Sequence, residues 1–180
     1  WPINELPFFG GRGLMNTAGI KKAGYYAYVI LSELGDNIIE RGDNYIVTSK
    51  GDDIQLLVYN YAYLNKSYQN ADYSIIDEYN RYQVFANIDE LDYSFKIKGL
   101  NGKYKISKYK ISRNSGSAYD HWLQMGAPPD LNNHEVEYLK SKSVPDLKID
   151  YIDIDAQYKV EGSLEKNSIE FYMFRKQFQI

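Results

Sequence analysis

The chain has 180 residues, 44% of them hydrophobic and 25% charged, with a formal net charge of −3. That is enough for one well-buried domain, or one domain plus a fragment of another. The charge gives no drive toward nucleic acid or an anionic membrane, no apolar run approaches the ~20 residues that span a bilayer, and the lack of cysteine excludes disulfides and thiolate metal sites.

The chain opens on Trp1-Pro2, inside an apolar stretch, rather than on Met. A preceding segment is therefore expected, and a cytoplasmic location is the expectation left when no leader or membrane segment is visible. Tyrosine is abundant, with 19 copies against 7 Phe and 2 Trp. Aromatic faces pack well on sugar rings, but Tyr is also a good strand residue, and that second reading needs no ligand.

The first element follows "FFGGRGL". From Lys21 to Leu34 the residues Ala23, Tyr26, Ala27, Ile30, Leu31 and Leu34 recur at helical spacing, and Gly35 stands where a left-handed C-cap is expected. The stripe of Tyr26, Ile30 and Leu34 needs cover from elsewhere. The sandwich or a second copy of the chain could supply it, so a homo-oligomer is one expectation.

Strands follow. "NYIVTS" and "DIQLLVYNYAY" flank the turn "KGDD", and the second is apolar on both faces, as a central strand is. "LDYSFKIKGL" and "KYKISKYKIS" flank Asn101-Gly102, which reads as a second hairpin, with a bulge between Ile106 and Tyr109 where the inward parity changes. Three short strands close the chain near residues 147–154, 157–162 and 168–175. "SAYDHWLQMG" reads as a helix ending at Gly126, with Trp122 buried; "NNHEVEYLKSK" reads as another, with an Asn N-cap and Val136 and Leu139 inward. "LNKSYQNADYSIIDEYNR" reads as an irregular crossover. The sum is a mainly β chain: an antiparallel β-sandwich with an N-terminal helix and two short inserted helices.

Candidate chemistry is sparse. Gly10, Gly11 and Gly13 give G-G-x-G, which matches neither the P-loop nor the dinucleotide fingerprint; glycines also stand where a backbone turns sharply at the rim of a site. His121 and His134 sit on different elements, and Asp150, Asp153 and Asp155 lack the glycine and distal Glu of a calcium loop. No metal or other cofactor is expected. Lys103 and Lys105 share one strand face and Lys108 and Lys110 the other, so they read as edge protection rather than a nucleic-acid stripe. No nucleophile–base motif occurs.

"LPFFGGRGLMNTAGIKKAGYYAYVILSELG" resembles the last β-to-α segment of glycoside hydrolase family 39, the β-xylosidase family, where F-H-G-G-x-G-L precedes x-G-I-x-K-P-x-Y-x-A-F and L-x-x-L-G. Phe8, Gly10, Gly11, Gly13, Leu14, Gly19, Ile20, Lys22, Tyr26, Ala27, Leu31, Leu34 and Gly35 match. Phe9 stands where the family often has His, so a polar contact from this loop to sugar is not carried over. Ala23 stands where it often has Pro, which softens the helix start. "YIVT" with "IQLLVYNY", and "YKISKYKISRNSGSAYDHWLQMGAP", are similar to the family's accessory sandwich, the stretch from Trp122 to Pro128 most specifically.

The resemblance implies that residues 1–35 are the last loop and helix of a (β/α)₈ barrel and that residues 36–180 are the accessory sandwich. The family hydrolyses β-xylosides with retention, using two glutamates ~5 Å apart on barrel strands that would lie upstream of this chain. Phe8, Phe9, Gly10 and Gly11 would stand at the rim of the barrel site. No catalytic residue is expected here, and none of Glu5, Glu33 and Glu40 lies in the family's catalytic context. The implied partners are a β-xyloside or xylan-derived oligosaccharide and the barrel itself, with neither nucleic acid nor membrane. Two alternatives stay open: a carbohydrate-binding module, and the C-terminal region of a transcriptional regulator fused to a family-39-like domain.

Overall fold

The computed structural model describes residues 6–8, 13–70 and 79–177. By packing the chain divides into two compact units. One comprises Trp1–Tyr28, Ala62–Ile88 and Ile111–Pro145; the other comprises Val29–Tyr61, Asp89–Lys110 and Asp146–Ile180.

The second unit is the sandwich. Its strands are β1 (Asn37–Arg41), β2 (Tyr45–Lys50), β3 (Asp53–Asn60), β4 (Leu91–Lys98), β5 (Gly102–Ile111), β6 (Asp146–Ile154), β7 (Gln157–Leu164) and β8 (Ser168–Lys176). One sheet has the order β1-β2-β3-β8-β5-β6, and β4 with β7 forms the other. The pairs β1–β2, β2–β3, β3–β8, β5–β6 and β4–β7 are all antiparallel. Alternation decides which side chains enter the core. Leu56, Val58, Tyr104, Ile106, Tyr172 and Phe174 come from the larger sheet, and Tyr93, Ile97, Val160 and Leu164 from the smaller. Strand β3 lies between β2 and β8, and Leu56, Leu57 and Val58 are all buried, as its two apolar faces require.

The β2–β3 hairpin forms as read. Lys50 pairs with Asp53, and Gly51 takes φ +60°, the positive angle that the first central residue of a tight hairpin turn requires. The second expected hairpin does not form. Strand β4 pairs with β7 and β5 with β6, so Asn101-Gly102 carries the chain from one sheet to the other. The β6–β7 turn makes the reverse switch, and the two turns are tied together. Gly99 N donates to Ala156 O at 2.8 Å, and Ala156 N donates to Asn101 Oδ1 at 3.1 Å.

Three other expectations need correction. The β5–β6 register runs unbroken from Gly102 to Lys110, so the expected bulge does not interrupt that pairing; a shift occurs in β1, between Ile38 and Glu40. Strand β5 is not an edge, because β8 and β6 flank it; Lys108 and Lys110 therefore do not protect one, and both form ion pairs with Glu170. Gly35 does not cap a helix in a left-handed conformation. Its N–H donates to Thr48 Oγ1 at 2.9 Å and to Gln55 Oε1 at 3.2 Å, and a Cβ built on it would lie 2.2 Å from the Ser49 carbonyl oxygen. Close approach of backbone, not φ, is what requires glycine there.

Helix α1 (Ala23–Ser32) is shorter than the Lys21–Leu34 read from periodicity. Single-turn bonds, Tyr25 N to Lys22 O and Leu34 N to Leu31 O, extend it at either end. Ile30 is buried, while Tyr28, Val29 and Leu31 are exposed. Between residues 62 and 145 come a one-turn helix α2 (Lys66–Gln69), a 3₁₀ turn at Arg81–Val84, α3 (Ala118–Gln124) and α4 (Asn133–Lys142). Ser117 caps α3, and Gly126 leaves it at φ +87°, where the sequence ends the helix. Asn132 and Glu135 form a reciprocal capping box on α4. Trp122 is fully buried, and its Nε1 donates to Pro128 O at 2.9 Å. Around it pack Phe8, Ile20, Ala118 and Leu139. This packing cuts the chain differently from a division at Gly35, because Phe8 and Ile20 complete the Trp122 core. No helix among the described residues is long and apolar enough to cross a membrane.

Candidate functional site

The segment after the glycine loop is held by one asparagine. Asn16 Nδ2 donates to Pro7 O at 3.1 Å, and Asn16 Oδ1 accepts from Ile20 N at 2.8 Å. Gly19 takes φ +74° and lets the chain reverse, so that Met15 bridges Lys21 and Lys22 N reaches Leu14 O. The reversal delivers Ile20 to the core and sets Lys22 at the start of α1.

Phe8 is 5% exposed, its ring centroid 5.5 Å from that of Trp122 and 6.0 Å from that of Tyr119. Beside it lies a cavity of about 310 Å³, walled by Phe8, Lys22, Arg81, Tyr82, Ser117 and Tyr119. Phe8 is thus placed as an aromatic wall. Phe9, Gly10 and Gly11, the other residues expected at a sugar-binding rim, lie outside the described residues.

The polar side of this cavity is organised by Asp120. The carboxylate is buried; Oδ1 accepts from Arg113 Nε at 3.0 Å, and Oδ2 accepts from the hydroxyls of Ser117 and Tyr82. Arg113 also lies over the Tyr82 ring, 4.3 Å from its centroid. Burial, followed by the charge of Asp120 and its hydrogen bond, pushes the Tyr82 phenol well above its ordinary range, so it stays a donor. Burial, and then the neighbouring Arg81 cation, holds the Lys22 ammonium below the usual lysine range. Arg81 N donates to Tyr119 Oη at 3.3 Å.

A second buried carboxylate stands in the sandwich. Glu170 is 2% exposed on β8; Lys108 Nζ is 2.8 Å from Oε2 and Lys110 Nζ 3.3 Å from Oε1. The hydroxyls of Tyr93 and Tyr172 also donate to Glu170, and they lie 2.8 Å from each other. Burial pushes the Glu170 carboxyl up, but the hydrogen bonds and charge of Lys108 and the two phenols outweigh it, and the net direction is down. Burial first, and this company second, raises both phenols. Gly162 makes room for the group: a Cβ on it would lie 2.5 Å from Tyr93 Oη.

His121 and His134 are not brought together. His121 stands edge-on to Tyr138 and His134 is exposed. Asp153 and Asp155 are exposed at the β6 end, and Asp150 pairs with Lys148. No group of three potential metal ligands occurs among the described residues. Sequence reasoning missed Lys22, Arg81, Tyr82, Asp120 and Glu170. Two signals were present: Asp120 follows the capping Ser117 by three residues, and Glu170 holds an inward parity with Tyr172 and Phe174.

No protein-family model matches the chain. A β-xylosidase of Caldicellulosiruptor saccharolyticus is 28% identical over 136 residues, which make up 76% of this chain and 25% of that protein. An uncharacterized HTH-type transcriptional regulator of Staphylococcus aureus (strain N315) is 22% identical over 155 residues, 84% of this chain and 19% of the regulator. Among solved structures, the family 39 glycoside hydrolase of Xanthomonas axonopodis pv. citri matches with a TM-score of 0.74 at 18% identity, over 95% of this chain and 33% of that enzyme. The chain thus spans between a fifth and a third of the length of these proteins, and its fold is that of the matching third of a family 39 enzyme.

Proposed function

We propose that this chain is the C-terminal part of a retaining glycoside hydrolase of family 39 that acts on β-xylosides. It would consist of the last barrel loop and helix, followed by the accessory sandwich. The observation that carries the reading is coverage: the structural likeness takes in 95% of the chain but only a third of the enzyme. A free-standing sugar-binding module has no use for a barrel helix. In this reading residues 8–11 stand at the rim of the barrel site, and both catalytic glutamates belong to the upstream barrel. The exposed Tyr28, Val29 and Leu31 of α1 would pack on that barrel.

The β-xylosidase likeness favours the enzyme, and the likeness to the HTH-type regulator favours a second reading, in which the same region stands behind a DNA-binding domain. Assay of an aryl β-xyloside separates the possibilities. The 180-residue chain should give no turnover, since losing both carboxylates leaves no route for the reaction. The longer protein that carries it, with both glutamates present, should turn over. Activity in the short chain defeats the fragment reading. An inactive longer protein that shifts a DNA fragment in a gel establishes the regulator instead.

A further inference from the structure

Strand β6 ends the larger sheet. Its strand neighbour is β5, and its other side meets no strand among the described residues. Native sheets blunt such an edge, because a row of open N–H and C=O groups is a template for another strand. Here the edge is long: β6 runs from Asp146 to Ile154 with no proline and no break in its register with β5. Alternation puts Leu147, Ile149 and Tyr151 on one face, and they are 48%, 42% and 71% exposed. The guard the strand does carry is charge. Lys148 and Asp150 stand on the other face, the one shared with Lys108 and Ile106, and pair with each other at 3.1 Å. Charges so placed turn away a strand that does not answer them and admit one that does.

We infer that β6 is the contact between two copies of this chain, paired antiparallel about a two-fold axis through Ile149 that runs perpendicular to the sheet. Such an axis keeps like faces together, so opposed residues have numbers of the same parity. Charge then chooses the register. Centred on Lys148, the pairing sets that lysine against itself and Asp146 against Asp150. Centred on Asp150, it sets two carboxylates face to face. Centred on Tyr151, it leaves both charges opposite isoleucine, and centred on Leu147 it runs past Pro145 and off the strand. Only the register centred on Ile149 keeps the strand and answers the charges. Lys148 of each copy then lies opposite Asp150 of the other, and Leu147 lies opposite Tyr151, while the two Ile149 side chains meet on the axis. Opposite-charge and apolar pairs of this kind stabilise a sheet, and like charges directly opposed destabilise it. The inference rests on β6 alone and is independent of the barrel reading.

Sedimentation velocity of the 180-residue chain tests it. One strand from each copy makes a contact below the standard interface, so the dissociation constant should fall at about 10–100 μM. Lys148→Asp and Asp150→Lys should each weaken self-association about tenfold or more, with the circular dichroism of the parent, because each opposes like charges across the axis. An equimolar mixture of the two variants should associate again. In the mixed dimer an acidic strand faces a basic one at both places, while the ion pair within each strand stays broken. Recovery therefore reports the contact between copies, not a role of the pair inside one chain. Amide exchange of the parent, which needs no variant, should slow along β6 on dimerisation and stay unchanged in α1. The same β6 amides should be protected in the mixture. A monomer at about 500 μM, well above the expected constant, overturns the inference. So do single variants that still associate, a mixture that does not recover, or protection that appears in α1 and not in β6.

Discussion

Among the described residues each unit of the chain buries one carboxylate among tyrosine hydroxyls and basic side chains, and the two are built differently. Glu170 sits on a regular strand. Its oxygens are met by Lys108, Lys110, Tyr93 and Tyr172, all from strands of the same sandwich. Asp120 sits in the first turn of a short helix and is met by Ser117, Tyr82 and Arg113. Around Glu170 the accounting closes. Near Asp120 it does not, because Arg81, which precedes Tyr82 in the 3₁₀ turn, has an Nε that is buried and unpaired among the described residues. A closed network specifies a structure, since a half-satisfied one costs more than an apolar core.

The sharpest way to break this comparison is Trp122→Ala. The side chain is fully buried among Phe8, Ile20 and Leu139, and truncation should cost about 3–5 kcal/mol. Hydrogen exchange by segment should show the loss in residues 13–28, 62–70 and 111–145, with β3 and β8 still protected. Equal loss in both sets would mean that the two units are one in energy, whatever their packing.

Glu170→Gln comes next. It removes the charge that Lys108 and Lys110 answer, and bonds to a charged group are worth about 1.5–3 kcal/mol, less here because both lysines are partly exposed. The folded carboxyl titrates below its ordinary value, so its stabilisation is fully present above about pH 4.3 and fades as pH falls through the depressed value. Urea midpoints should therefore differ most at pH 6–7 and converge toward pH 3. The two phenols give the opposite limb. Raised in the folded state, they contribute below about pH 10, and that contribution fades as pH rises through their folded values. A constant gap between parent and variant across the acid range would remove Glu170 from the account.

Much of this was legible in local sequence, because the decisive contacts were local. Lys50 to Asp53 had to turn, Asn132 had a cap to offer, and the double apolar face of β3 required neighbours on both sides. What was not legible depends on partners far along the chain. Asn101-Gly102 has the chemistry of a tight hairpin, yet Gly99 and Asn101 bond to Ala156, and the chain crosses between sheets. Lys108 and Lys110 look like edge lysines until Glu170, sixty residues on, arrives beside them. The cavity was illegible for the same reason: Lys22, Arg81 and Tyr119 come from three separated stretches, and Arg81 sits where periodicity is silent.

Gly35 gives a smaller effect with a clear alternative. In the sandwich a Cβ there meets the Ser49 carbonyl at 2.2 Å, and the Thr48–Gln55 pair that holds the Gly35 N–H is itself buried. Gly35→Ala should cost about 1–3 kcal/mol as an overpacking change. Asn distinguishes the causes. A left-handed cap tolerates Asn nearly as well as Gly, whereas a close approach of backbone rejects it at least as strongly as Ala. Equilibrium unfolding of both variants should rank Asn no better than Ala; the reverse order would restore the capping reading.

The smallest effect lies at the start of α4, and it refines the other side of the comparison. Asn132 Oδ1 accepts from Glu135 N at 3.1 Å, and Glu135 Oε2 accepts from Asn132 N at 2.8 Å, so two end donors are satisfied reciprocally. Both bonds are exposed, and water can replace either partner. Asn132→Ala should therefore cost about 1 kcal/mol, far less than opening the buried Asp120 or Glu170 groups. Behind the cap stand Leu139, fully buried in the Trp122 core, and Ser143, which bonds Lys140 O at 2.7 Å. If this unit responds as one body, the loss should appear along all of α4 and α3 in hydrogen exchange. If the helix instead frays alone, exchange should quicken only in the first turn, at Asn133 to Val136, and Trp122 should keep its protection. The second pattern would mean that the Trp122 core, not the cap, holds α4, and that the Asp120 side of the cavity is fixed independently of it.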